Sequence, residues 1–377
     1  MSDFLSMFSQ KDYYVMEEAI GLARQAVGLT SPNPAVGAVI VKKGKIVGKG
    51  CTQPPGKAHA EIVALNSAKQ RTRGATMYVT LEPHCFFGRT PPCTDAIVSA
   101  GISRVVVGMK DPNNDVNGKG LRLLKSAGID VAMVKDNYIV QEIRLLNQPH
   151  LKYIQTGLPY VVLKAGVSLD GKIATRTGES QWITGPAARN DARLERSMCD
   201  AVVVGVGTVN ADNPGLGSYG KFRTKKLLRV IIDPALSSHQ KSRVFRDEQV
   251  LVVHTKKASP QKIIAFTKKN IPLYCAGTRR VSWKKLFDFL GRQGVRGIFV
   301  EGGAGVHGSL YDAFLSNPLL LDRVLFYIAP KIIGGKSALS VVGGNGTRSI
   351  SSVLSLTNVH VSLVGSDMKV DGVFTLY

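Results

Sequence analysis

The sequence predicts an α/β protein built as two domains. Short β-branched runs alternate with stretches of helical periodicity along the chain, the pattern of a sheet covered by helices. The 377 residues are more than one compact core usually serves. A turn-forming stretch, Thr-Gly-Leu-Pro at 156–159, divides the alternation into two series. The expected organisation is a first domain at 1–148, a linker at 149–159 and a second domain at 160–377.

Met16, Ile20, Ala23 and Val27 recur at helical spacing and predict a helix over 12–27. Ser-Pro-Asn-Pro at 31–34 ends it. A Lys-Lys-Gly turn then joins 35–41 and 45–50 as a hairpin. A helix is expected from His59 to Lys69 and a strand over 76–81. Pro91-Pro92-Cys93 opens another helix, because proline suits a first turn. Strands at 104–109 and 129–134 alternate with helices at 121–127 and 138–146. In the second half, strands are expected at 160–167, 201–204, 228–232, 250–253 and 297–301, with helices over 186–198 and 282–291. The Gly- and Ser-rich segment 336–355 reads as a flexible loop. The strands 358–364 and 368–376 close the second domain and offer an edge for a homo-oligomer, dimer or tetramer.

An apolar content of 44% is enough for two ordinary cores. No apolar run reaches the ~20 residues needed to span a bilayer, so no membrane partner is expected. Residues 1–12 lack a charged start followed by an apolar core, which argues against a secretory signal. Five scattered cysteines form no disulfide framework, and a reducing, cytoplasmic setting fits them. The net charge of +22 is spread over short Lys and Arg pairs with no interleaved aromatics, which speaks against a nucleic-acid site. Anionic small molecules are the expected partners, although that charge is larger than their steering requires.

Two stretches carry chemistry. The first joins His59-Ala60-Glu61 to Leu81-Glu82-Pro83-His84-Cys85 and Cys93. A His, a Glu two residues on, then Pro-ligand and Cys is the arrangement of zinc-dependent base deaminases. His59 and Cys93 are the expected ligands and Glu61 the proton shuttle. His59 and Cys93 both fall at helix starts, where the macrodipole is expected to lower a thiol pKa. The second stretch is Gly303, Gly305 and Gly308 in G-x-G-x-x-G, after a strand and before a helix. Such glycines let backbone N–H groups approach a pyrophosphate. Asp322 has the spacing of a ribose-binding acid but begins a strand, so a Rossmann reading is disfavoured.

These stretches, together with Ser31–Gly37 (S-P-N-P-A-V-G), G-R-T-P-P-C at 88–93 and D-P-N at 111–113, resemble the bifunctional deaminase–reductase family of riboflavin biosynthesis. L-K-A-G-V-S-L-D-G at 163–171, G-E-S-Q-W-I-T at 178–184, G-V-G-T-V-N-A-D-N-P at 205–214, V-E-G-G at 300–303 and Y-I-A-P-K-I-I-G-G at 327–335 match its reductase half. The resemblance covers nearly the whole chain. It implies a cytidine-deaminase-like three-layer domain with Zn²⁺ and a dihydrofolate-reductase-like domain with NADPH. The first would deaminate 2,5-diamino-6-ribosylamino-4(3H)-pyrimidinone 5′-phosphate, and the second would reduce its ribosyl group to ribityl. By position, Asn33 would meet the base. Gly166, Trp182, Thr208, Asp212 and Gly303, Ala304, Gly305, Val306, His307, Gly308 and Ser309 would line the cofactor. Ser180, Arg196, Leu216 and Glu301 would meet the substrate, Arg196 as a bidentate phosphate clamp.

The chain departs from that family in two places. After Pro83 the usual ligand Cys is His84, with Cys85 next to it, and the usual His is Phe86. Either His84 ligates, giving a His₂Cys site, or the loop shifts so that Cys85 ligates. A third possibility is that zinc binding is weak and the domain a scaffold beside a working reductase. A neutral imidazole in place of a thiolate makes the site one unit more positive, acidifying a bound water but leaving it a poorer nucleophile. In the reductase half, the usual Leu-Thr-x-Arg is Leu216-Gly217-Ser218-Tyr219. Its Arg helps hold the substrate phosphate; Lys221 or Arg223 are the expected substitutes.

Overall fold

The computed structural model describes residues 10–88 and 90–377. Residues 1–9, part of the stretch read as carrying no signal peptide, and Arg89 of the G-R-T-P-P-C motif lie outside the described residues. The chain divides into two compact units, one ending at Gln155 and joined by Tyr377, the other Thr156–Leu376. No described helix is long and apolar enough to cross a membrane.

The first unit runs α1 (Gln10–Ala26), β1 (Gly37–Lys42), β2 (Lys45–Cys51), α2 (Ala60–Ala68), β3 (Thr76–Leu81), α3 (Cys93–Ser99), β4 (Arg104–Met109), α4 (Lys119–Ser126), β5 (Asp130–Met133), α5 (Asn137–Leu146) and α6 (Gln148–Thr156). Its sheet has the order β2-β1-β3-β4-β5, antiparallel through the β1–β2 hairpin and β1–β3, parallel from β3 to β5. The central strands read as nearly unbroken apolar runs because both of their faces are covered. α2 lies almost backbone to backbone on β2. A methyl group added at Gly50 would sit 2.5 Å from the Ala60 carbonyl oxygen, and one at Gly48 2.4 Å from that of Ala64. The inward face of α2 is accordingly Ala60, Ala64 and Ala68, all fully buried. This contact fixes the start of α2, where the first site lies.

The segment expected to be a linker, 149–159, is mostly the helix α6. Pro149 falls in its first turn, where its missing N–H costs no hydrogen bond. Gln148 pairs through its side-chain amide with the backbone N–H and C=O of Tyr377, drawing the last residue into the first unit.

The second unit runs β6 (Tyr160–Ser168), α7 (Pro186–Met198), β7 (Ala201–Gly205), α8 (Val206–Asp212), β8 (Leu228–Ile232), β9 (Val250–His254), α9 (Pro260–Thr267), β10 (Leu273–Cys275), α10 (Trp283–Arg292), β11 (Gly297–Val300), α11 (Ala304–Ser316), β12 (Arg323–Ala329), β13 (Thr357–Val364) and β14 (Asp367–Val373). The sheet order is β10-β9-β8-β7-β11-β6-β12-β14-β13. It is parallel from β10 to β12, then antiparallel through β14 to β13. β7, Ala-Val-Val-Val-Gly, is buried at every position because alternate side chains enter two different cores. Val203 packs with Ile298, Phe287 and Leu290 on one face, and Val202 and Val204 with Ile231 and Val252 on the other. β13 is the outer edge and is exposed along nearly its whole length. The 336–355 loop is tied down. Gly343 N–H donates to the Ala304 carbonyl at 3.1 Å, and the Asp312 carboxylate accepts from Asn345 N–H at 3.0 Å.

Candidate functional site

The first site is assembled by two helix starts and the loop between them. His59 is the N-cap of α2, Glu61 its second residue, and Cys93 the first residue of α3. The loop from 84 to 93 closes on itself, since the Cys93 N–H donates to the His84 carbonyl at 3.0 Å. That bond turns His84 towards Cys93. His84 Nδ1 lies 3.1 Å and His59 Nδ1 3.6 Å from Cys93 Sγ. One ligand atom from each of the three residues falls within 4.8 Å of the others. Cys85 turns away, its sulfur 3.7 Å from the Asp115 carbonyl oxygen. Between the two neighbours, the geometry brings His84 to the cluster.

The electrostatics of the cluster suit a soft-donor cation site. Burial, aided by the neighbouring His84, lowers the His59 pKa to about 4, so its imidazole is neutral, the form that ligates. Burial also lowers His84. Cys93 runs against the expectation from its helix start: burial first, and then Glu61, push its thiol far above the ordinary range. Without a cation the sulfur stays protonated; a cation bound among the three would hold the thiolate. His84 Nε2 is buried with no hydrogen-bond partner, and Thr90 Oγ1 stands 3.4 Å from His59 Nε2. A hydroxyl on the outer nitrogen orients such a ligand. Glu61 is buried, is not one of the three, and hydrogen-bonds to Cys93; burial raises its carboxyl pKa. The residues therefore fit a zinc ion with a separate acid–base group beside it. Phe86, at the position where the resembled family usually has a histidine, meets the His84 ring edge-on, centroids 5.8 Å apart.

The second site is a cleft of about 1920 Å³ in the second unit. It opens past the carboxyl ends of β7, β8 and β11, where open α/β sheets place their ligands. Gly205 and Gly302 let α11 approach the sheet, since a methyl group at either would lie under 3 Å from Val306. Gly303 and Gly305, at the start of α11, have nothing within 4 Å of a methyl position and face the cleft. That open glycine cradle before a helix start fits a pyrophosphate. Glu301 accepts from Arg196 Nη1 at 2.6 Å and has Lys164 Nζ at 3.9 Å.

Comparison with known proteins gives a family for the chain and a family model for each half. Residues 159–370 match the model of the RibD C-terminal domain, and residues 9–109 that of the cytidine and deoxycytidylate deaminase zinc-binding region. The chain is 41% identical to riboflavin biosynthesis protein RibD of Bacillus amyloliquefaciens, over 96% of this chain and 95% of that one. The chain belongs to the RibD family. It is also 39% identical to RibD of Aquifex aeolicus, over 97% of this chain and 99% of that one. Among solved structures, Acinetobacter baumannii RibD superposes with a TM-score of 0.85 at 34% identity, covering 97% and 99% of the two chains. A Thermotoga maritima deaminase/reductase superposes with a TM-score of 0.80 at 33% identity, covering 95% and 97%. The architecture is thus a cytidine-deaminase-like domain followed by a dihydrofolate-reductase-like domain, and RibD-type bifunctional enzymes are its relatives.

Set against that family, most of the expected reductase residues line the cleft: Gly166, Ser180, Trp182, Arg196, Thr208, Asp212, Leu216, Glu301, and the run from Gly303 to Ser309 except Gly308. Gly308 packs instead against the 336–355 loop, where a methyl group would sit 2.2 Å from the Gly343 carbonyl carbon. The His307 ring turns inward and meets the Val341 carbonyl at 3.0 Å, so its backbone is what remains for a cofactor. Two Arg196 nitrogens are taken by Glu301 and the Gly217 carbonyl, so its guanidinium is a strut as much as a clamp. Asp322 is fully buried and accepts from Val161 N–H at 2.6 Å, which makes it a structural acid. Lys221 and Arg223, expected as substitutes for the missing arginine, are exposed and outside the cleft lining. Asn33 sits half-buried in the turn before β1, its N–H bonded to the Thr30 carbonyl. Thr90 and Lys164 lie inside stretches that carry the family resemblance but were not singled out there, and no local motif marks Arg243 and Arg246.

His307 carries a testable consequence. Burial lowers its pKa from 6.5 to about 4, against a partial opposing effect of the Val341 carbonyl. The unfolded chain therefore binds a proton that the folded chain refuses. Stability is fully present above pH 6.5, falls as pH drops from 6.5 to about 4, and stays lost below. The expected loss is about 3 kcal/mol. Both tryptophans, Trp182 and Trp283, lie in the second unit. Tryptophan-monitored urea unfolding above and below this window should show the loss in wild type and a flatter profile in His307→Gln. Equal profiles would count against it.

Proposed function

We propose that the first domain hydrolytically deaminates 2,5-diamino-6-ribosylamino-4(3H)-pyrimidinone 5′-phosphate and that the second reduces the ribosyl group of the product to ribityl with NADPH. The observation that carries this is the convergence of His59, His84 and Cys93 with the Glu61 carboxyl beside them. A zinc ion held by those three residues supplies the Lewis acid that brings ionisation of a water near neutral pH. Glu61 moves the protons: its carboxyl accepts one from the attacking water and returns it to the leaving amino nitrogen, so that ammonia departs. Burial of Cys93, at 0% exposure, keeps bulk water from its sulfur. Asn33, from the turn before β1, is the proposed contact to the base.

In the second domain NADPH, when bound, supplies the hydride to the ribose C1′. The open glycines at 303 and 305 receive its pyrophosphate at the start of α11. Trp182, 59% exposed and stacked by Arg189 at 4.4 Å, offers a flat wall to the cofactor with Thr208 and Asp212. Ser180, Leu216 and the Arg196–Glu301 pair face the substrate.

Ammonia release and NADPH oxidation by the purified full chain, with zinc measured on the same sample, test both halves. Zinc with ammonia release and NADPH oxidation is the expected result. NADPH oxidation on deaminated substrate without zinc or ammonia would leave a reductase on an inert scaffold. Neither activity would overturn the proposal.

A further inference from the structure

Among the arginines that line the reductase cleft, Arg243 and Arg246 have no role in the account above. Arg243 and Arg246 bracket a single helical turn, residues 243–245, between β8 and β9, and both line the cleft. They converge on one stretch of backbone. A methyl group at Gly215 would lie 3.1 Å from Arg246 Nη1 and 3.3 Å from Arg243 Nη2, and one at Gly217 3.0 Å from Arg246 Nη2. The glycines are what admit the guanidinium groups. Their charges are poorly compensated. The nearest carboxylate, Asp247, is engaged by Arg229 and reaches Arg246 only at Nε, 3.4 Å away. That leaves the two terminal nitrogens of Arg246 directed at the glycines. No acidic group pairs with Arg243 among the described residues, and its backbone N–H is held by Asn213 Oδ1 at 2.7 Å. Two like charges brought together without a counter-ion repel, unless an anion bridges them. A phosphate monoester carries about −1.5 to −2 charge and presents three acceptor oxygens, a match for two guanidinium forks.

The surroundings say which phosphate. Gly217, against Arg246, accepts through its carbonyl from Arg196, which pairs with Glu301. Leu216 lies between the two glycines. The arginines thus continue the wall assigned to the substrate, whereas the cofactor cradle is at the start of α11. A separate set of cations on the cleft, Lys257, Arg279 and Arg280, comes from other loops and remains for the 2′-phosphate of NADPH. Position 219, where the family has an arginine, holds Tyr219, whose ring sits under Arg193 at 5.7 Å.

We propose that Arg243 and Arg246 form the clamp for the substrate's phosphate monoester, in place of an arginine at 219. The proposal rests on the reductase reading for the identity of the substrate, but the clamp itself is testable without turnover. The probes are ribose 5-phosphate and 2′,5′-ADP, titrated calorimetrically into the full chain. Arg243→Gln and Arg246→Gln should each weaken ribose 5-phosphate by about 10-fold, as loss of a charged hydrogen-bond pair does, and the double variant by more. Arg246→Lys should recover part of the loss, and 2′,5′-ADP should bind as in wild type. In turnover, KM for the phosphorylated pyrimidine should rise with little change in kcat. Unchanged ribose 5-phosphate binding in the double variant would overturn the clamp. So would loss of 2′,5′-ADP binding instead, which would give these arginines to the cofactor. Wild type that binds ribose 5-phosphate through them yet oxidises no NADPH would keep the clamp and remove the reductase reading. A double variant with wild-type KM would do the opposite. Retained tryptophan emission and unfolding midpoint show that the variants fold.

Discussion

Glu61→Gln is expected to lower ammonia release by about 10²–10⁴-fold, the range for losing a positioned general acid–base group. Glutamine keeps the size of the side chain and its place on α2 but cannot carry a proton between water and leaving group. The position is favourable for a large effect. Glu61 is only 4% exposed, so solvent cannot readily substitute, and α2 is held against β2 by direct backbone contact at Gly48 and Gly50. Reduction of already deaminated substrate, measured on the same preparation, reports whether the variant is folded. Equal ammonia release by wild type and Glu61→Gln would mean that the carboxyl moves no proton.

His84→Ala and Cys93→Ala are expected to lose zinc, while Cys85→Ala retains it. Removing an outer partner of a metal ligand already costs about 10–100-fold in affinity, and removing a ligand should cost more. The discrimination between neighbours follows from geometry. His84 Nδ1 lies 3.1 Å from Cys93 Sγ, whereas Cys85 Sγ is engaged at the Asp115 carbonyl. Metal content by elemental analysis after dialysis decides the matter. Zinc lost from Cys85→Ala and kept by His84→Ala would mean that the loop shifts by one residue on loading. Zinc absent from wild type would make this domain a scaffold. A thiolate restored by His84→Cys should also hold the ion, since zinc accepts either donor.

Much of this molecule was legible in the chain. β3, β4 and β8 have the bounds their apolar runs predict, because each is flanked by a strand on both sides of its sheet, and α7 starts where Gly185 and Pro186 predict, because proline suits a first helical turn. His59, Glu61 and Cys93 were legible because their types, spacing and helix-start positions are local facts. The Gly303–Gly305 cradle was legible for the same reason. α8, α9 and β10 were missed: they are short, and little of their periodicity shows without the neighbours that cover them.

What only the tertiary structure decided depends on residues far apart in the chain. Pro149 and a downstream turn suggested a linker, yet the segment is helical, because a proline in the first turn breaks no bond. That His84, and not Cys85, lies beside Cys93 goes with a loop closed by the His84 carbonyl on the first N–H of α3, nine residues away. A third glycine with the right spacing, Gly308, serves a loop more than thirty residues on, since only a residue without a side chain fits against Gly343. The convergence of Arg243 and Arg246 on Gly215 and Gly217 joins two loops that share no motif. Residue types and spacing determine which chemistry is available to a chain. Packing, by bringing distant groups within hydrogen-bond reach and excluding water, determines which of the available groups meet.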